Sequence, residues 1–240
     1  MTIKMKEETR APQAEVVVPA PGIEVTEEQK QMEQALTSEL TKMIKAQQAE
    51  NAKRVAAMKV AGAVTEAADP GLATYQYWNV LTYGPYQFPF TDPPYRPSKI
   101  AAAGEWLLFE ALIWVNPLNG PGGSLPGTIV LGGRNYTTRF QTVDLTNVTV
   151  GPARAFPDTF ASPADEFTWV SWWMVAPDPG PTPRLYEVNL TVDLTLPGQP
   201  FAAFSNMHWD PDIEPAFLGL PAQPPHWHFE TPARFMIYRK

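Results

Sequence analysis

YEVNLTVDLTL (186–196) decides the fold class. Tyr186, Val188, Leu190, Val192, Leu194 and Leu196 occupy one set of alternating positions, and Glu187, Asn189, Thr191, Asp193 and Thr195 the other. Successive side chains of an extended chain point to opposite faces, so this period of two specifies a half-buried strand. Outward from it, EWLLFEALIWV (105–115) is apolar at both parities and suits a central strand covered on both sides. Further strands are expected at 128–132, 136–150, 167–175 and 234–239. The connections, such as NPLNGPGGSLPG (116–127) and PDPGPTPR (177–184), are dense in Pro and Gly. Many strands joined by such turns, with no helical period between them, imply an antiparallel β-sandwich, jelly-roll-like, over residues 101–240.

The chain ahead of this domain is built differently. Residues 1–74 contain no Phe, Trp or Tyr, and all but three of the 27 prolines lie at or beyond Pro70. Residues 1–25, with APQAEVVVPAPG at 11–22, read as an extended arm. Such a segment cannot build a core alone, though Val16-Val17-Val18 could add a strand to a neighbour's sheet edge. Residues 26–68 carry no proline and a single glycine, Gly62, and read as one long helix. Thr26 followed by Gln29 is a capping-box pattern, with acids in the first turn. Met32, Leu36, Leu40, Met43/Ile44, Val55 and Met58 form a narrow apolar stripe whose drift is closer to eleven residues than to seven. A helix with so narrow a stripe is not stable alone and requires a partner. Residues 69–100 are rich in Tyr and Pro, which disfavours regular structure and suggests an ordered collar on the next domain.

Composition removes several classes of function. The net charge is −7, divided as −1 over residues 1–68 and −6 over 69–240, and after Lys59 only Lys99 and Lys240 remain as lysines. No basic stripe is available for phosphates, so nucleic acid is not an expected partner. The absence of cysteine excludes disulfides, thiolate chemistry and cysteine-based zinc sites. MTIKMKEETR (1–10) lacks the apolar segment of a signal peptide, and WLLFEALIWV (106–115), broken by Glu110, is too short to span a bilayer. The expectation is a soluble protein made in the cytoplasm, with no membrane partner. The Asn-x-Thr sequons at Asn135, Asn147 and Asn189 then reflect strand composition.

Three groups of residues could carry chemistry. PPHWHFE (224–230) places His226, His228 and Glu230 on one face of a strand, with His208 and the acidic run HWDPDIE (208–214) upstream. Imidazoles two residues apart on a strand could share a metal, and His-x-His resembles the cupin metal motif. In cupins, however, the glutamate follows several residues later and a further histidine lies well downstream, whereas here Glu230 follows His228 at two residues and no later histidine exists. The polar face of a strand whose core side carries Trp227 and Phe229 accounts for the same pattern, so no metal, cofactor or catalytic residue is assigned. Asp210, Asp212 and Glu214, or Asp165 and Glu166, could be imagined as a carboxylate pair, but glycoside cleavage needs a defined separation across a cleft. TWVSWWMV (168–175) places Trp169 and Trp173 on one face and Trp172 on the other. An exposed tryptophan platform would stack on sugar rings, which makes a carbohydrate-binding module the alternative reading.

The arm with VVVPAPG (16–22), the helix with EQALTSELTKMIKAQQ (33–48) and the cysteine-free β-domain together form a layout that resembles the accessory virion proteins of tailed bacteriophages, either trimeric capsid decoration (cement) proteins or short fibres. The resemblance rests on organisation across the whole chain and carries no residue roles. It implies a non-enzymatic structural protein of the virion: a homo-oligomer, most simply a trimer, anchored through residues 1–68 on other virion proteins such as the major capsid protein. The β-domain would stabilise the capsid or face a host glycan. A carbohydrate-binding module and a cupin-like metal-dependent enzyme remain the alternatives.

Overall fold

A computed structural model describes residues 24–60, 78–89, 95–117, 125–196, 199–205 and 233–240. Helix α1 (Glu27–Val60) is followed by strand β1 (Trp78–Gln87), the short β2 (Ile100–Ala102) and β3 (Trp106–Val115). A one-turn helix α2 (Gly127–Leu131) leads to β4 (Asn135–Asp144), β5 (Thr149–Thr159) and β6 (Phe167–Val175). The chain ends with β7 (Arg184–Leu196), β8 (Gln199–Ser205) and β9 (Ala233–Tyr238). The protein is mainly β, a long helix followed by a β-sandwich, as its alternating strands imply.

Sheet A is three-stranded, in the order β1-β3-β6, and sheet B is six-stranded, β2-β9-β7-β4-β5 with β8 continuing beside β7 beyond β9. All pairings are antiparallel except the short parallel β2–β9 edge. The alternation at 186–196 is realised in β7, the middle of sheet B, where Tyr186, Val188, Leu190, Val192 and Leu194 are all buried. On its opposite face Glu187 accepts from Arg234 at 2.8 Å and Asp193 from Arg139 at 3.0 Å, so sheet B meets water with paired charges. The main core between the sheets is aromatic: Phe109 packs on Trp172 and Phe235 at centroid distances of 5.5 and 5.6 Å, and Phe140 joins Trp172 at 5.5 Å.

Four sequence expectations change. Residues 78–87 form a regular strand inside the expected Tyr/Pro collar. Pro85 is accommodated because β1 is an edge strand and its register slips between Tyr83 and Tyr86, the setting in which a strand tolerates proline. Gly84 makes that bulge possible: it has φ +110°, and a Cβ there would lie 2.7 Å from the Leu108 carbonyl oxygen. Residues 127–131 coil into α2 rather than a strand, with Leu131 buried and Ile129 exposed. So short an apolar run does not distinguish the two by periodicity. The expected strand 136–150 is two strands folded at Asp144, whose carboxylate accepts the Thr146 and Asn147 N–H groups at 2.9 and 3.1 Å and turns the chain back. Strand β2 has only three residues, too few to announce itself, and β8 (QPFAAFS) lacks an alternation of apolar and polar residues. Residues 1–23 of the expected arm (1–25), residues 61–77 and residues 206–232 lie outside the described residues.

Candidate functional site

The outer face of sheet A is organised in three cross-strand rows. Register pairs Leu81 with Leu112 and Leu112 with Trp169; Tyr83 with Glu110 and Glu110 with Ser171; and Tyr86 with Leu108 and Leu108 with Trp173. A polar row thus runs between two apolar ones. Helix α1 lies over this face, burying Leu36, Leu40 and Ile44 in a second core cluster with Leu81, Tyr83, Tyr86, Leu108, Leu112 and Trp173. The helix begins as its sequence implies, with the Thr26 Oγ1 accepting the Gln29 N–H at 3.2 Å and the Gln29 Oε1 accepting the Thr26 N–H at 2.8 Å.

Side-chain bonds fix the direction of the helix. Trp173 Nε1 donates to Glu33 Oε2 at 2.7 Å, Trp169 Nε1 donates to Thr41 Oγ1 at 3.0 Å, and Gln48 Nε2 donates to Glu166 Oε1 at 3.0 Å. Lys45 Nζ sits over the Phe167 ring at 5.6 Å. As α1 advances its partners step backward along β6, so the two run antiparallel. Gln48 reaches the end of the sheet where Trp78, Val115 and Phe167 lie together. From Ala49 to Val60 the backbone remains helical for roughly another 18 Å.

The expected site residues fall differently. Trp172 belongs to the inner core, 3 % exposed, while Trp169 and Trp173 face α1. Trp173 is 8 % exposed beneath α1, whereas Trp169 is only partly buried. Trp169 borders an open groove of about 370 Å³ with Ser38, Thr41, Lys42 and Lys45. Asp165 is exposed, and Glu166 is taken up by Gln48 and by Trp114 Nε1 at 3.3 Å; the two do not face each other across a cleft. His208, Asp210, Asp212, Glu214, His226, His228 and Glu230 lie outside the described residues. Among the described residues no group of three or more His, Asp or Glu could hold a metal ion.

The chemistry that sequence reasoning passed over is Glu110. It is fully buried, with Oε2 accepting from Ser171 Oγ at 2.8 Å and Oε1 without a partner among the described residues. Burial pushes its carboxyl well above the usual carboxylate range, the nearby Glu33 carboxylate adds to this, and the Ser171 bond opposes it. Tyr83 is also fully buried, its phenol raised by burial and then by Tyr86, and its hydroxyl has no hydrogen-bond partner among the described residues. The signal was present in WLLFEALIWV: a charged residue inside a strand apolar on both faces has nowhere to go but the interior.

No protein-family model matches the chain, and no curated protein matches it. Among solved structures, it is similar to the CARDB domain of a Pyrococcus furiosus protein, solved in complex with di-metal ions, at 13 % identity and a TM-score of 0.28 over 58 % of this chain and 97 % of that one.

Proposed function

We propose that this protein is a non-enzymatic structural protein of a tailed-phage particle, assembling as a homo-oligomer through its N-terminal section. The observation that carries the reading is the length of α1, 34 residues against the ten of the strand beneath it. The first half of the helix is spent on its own sheet, and the backbone stays helical to Val60, with Val55 and Met58 prolonging the apolar stripe in sequence. A helix longer than the strands it covers has length to offer to other subunits or other virion proteins. Two residues that would have served a rival reading are engaged within the domain: Trp173 by Glu33 of α1, and Glu166 by Gln48 and Trp114.

Removing all of residues 1–68 is not a clean test, because it would strip the cover from sheet A. The better variant is Val55→Asp with Met58→Asp, which leaves the docked half of α1 unchanged. Native mass spectrometry of the full chain is expected to report an oligomer, and the double variant is expected to lose subunits and to be depleted from particles. A monomeric wild-type chain, or a double variant that keeps both its subunit number and its particle occupancy, overturns the reading.

A further inference from the structure

The row Tyr83–Glu110–Ser171 is a costly thing to place under a helix. An ionised carboxylate in such a position would lie between two apolar rows with one oxygen unmet, and burying a charge without a counter-charge is strongly unfavourable. The groups around it make this worse. From β1 come Tyr83 and Tyr86, from β6 comes Ser171, and from α1 comes Glu33, itself an acid engaged by Trp173. None of these is a cation. Over the row from outside sheet A lies α1, whose Leu36, Leu40 and Ile44 pack on this face, with Val25, Phe88 and Tyr95 also packed against the same cluster.

We propose that α1 is a proton-gated latch: with Glu110 neutral the helix lies down on sheet A, and when Glu110 gives up its proton the helix lifts from that face. The balance is simple. Docking takes up one proton on the Glu110 carboxyl; lifting releases it to solvent and exposes the carboxylate to water. The sign follows from the raised carboxyl of the docked state. Latching is fully favoured below the ordinary carboxylate range and weakens as pH rises from there through the docked value, by up to about tenfold in the docked-to-lifted ratio per pH unit. The α1 partners named above are single hydrogen bonds and one cation–ring contact, and none of them sets a positive charge against Glu110. The latch stands on this geometry whatever the protein assembles with.

The chain has no cysteine, so Ser38→Cys supplies a unique labelling site on α1, in the groove that Trp169 borders. A bimane at that position is quenched by Trp169 while the helix is docked. In the full-length labelled chain, quenching is expected to be strong at acid pH and to be lost progressively toward alkaline pH, while far-UV circular dichroism keeps its β signal. Glu110→Gln, which keeps shape and removes the proton, is expected to hold the quenching constant across the range. Quenching that does not change with pH in the wild-type background, or that falls equally in Glu110→Gln, overturns the proposal. Should Glu110→Gln fail to fold, Glu33→Gln serves instead. Removing that neighbouring charge is expected to shrink the pH-dependent loss, and an unchanged loss overturns the latch.

Discussion

Leu36→Ala tests whether α1 is held to the sandwich as a separately opening unit. Leu36 is 0 % exposed, Leu40 2 % and Ile44 5 %, all against sheet A. Burying each of these side chains is worth about 1.5–3 kcal/mol, so the stripe supplies roughly 5–9 kcal/mol of gross attraction. Against this stands the entropy of ordering a helix that is not stable alone. Truncating one leucine to alanine in such a site costs about 2–5 kcal/mol, which is a large share of what holds the helix down. At about 1.4 kcal/mol per factor of ten, α1 amides between Glu27 and Gln48 should exchange with deuterium at least roughly 30-fold faster in the variant. Amides of β4 and β7, at the centre of sheet B, should keep their rates. Hydrogen exchange read by mass spectrometry on the full chain separates the two regions. Unchanged exchange in α1 would mean that the stripe does not hold the helix; equal acceleration in β4 and β7 would mean that helix and sandwich open only together.

Two further substitutions probe the sandwich itself. Trp172→Ala removes the ring between Phe109 and Phe140 and should lower stability by about 3–5 kcal/mol in denaturant titration. Asp144→Asn tests the β4–β5 turn: burial works to raise the Asp144 carboxyl, but bonds from the Asn147 and Thr146 N–H groups, the Asn147 side chain and the Arg184 charge hold it below its ordinary value. A lowered carboxyl contributes stability at neutral pH that is lost as pH falls through its folded value. The variant should therefore be less stable by about 1.5–3 kcal/mol at neutral pH, with the gap to wild type closing in strong acid.

The strands that could be read from sequence are those whose environment imposes a period. Strand β7 has core on one side and water on the other, and its alternation at 186–196 is complete. Strand β1 gave no such sign because its cues conflict. Pro85 and Gly84 argue for a turn while Trp78, Val80, Leu81 and Tyr83 argue for a strand, and the bulge lets both be true. The hairpin at Asp144 was hidden by Val148 and Val150, which look like strand interior but are 85 % and 72 % exposed. A valine at φ 55° in the turn is a conformation that sequence propensity argues against.

The site was legible in halves that sequence alone does not join. Strand β3 is apolar on both faces, which requires a second cover beyond sheet B; α1 has an apolar stripe and no means of standing alone, which requires a partner. Sequence reasoning sought that partner outside the chain. The lengths argue otherwise: from Glu27 to Gln48 the helix spans about 33 Å, and the ten residues of β3 span about the same. Two unsatisfied surfaces of equal length in one chain satisfy each other, and an external partner has only the remainder, from Ala49 onward, to work with. Glu110 is what keeps that internal match from being unconditional. An apolar residue in its place would seal helix to sheet at any pH, whereas a carboxyl makes the seal depend on a proton.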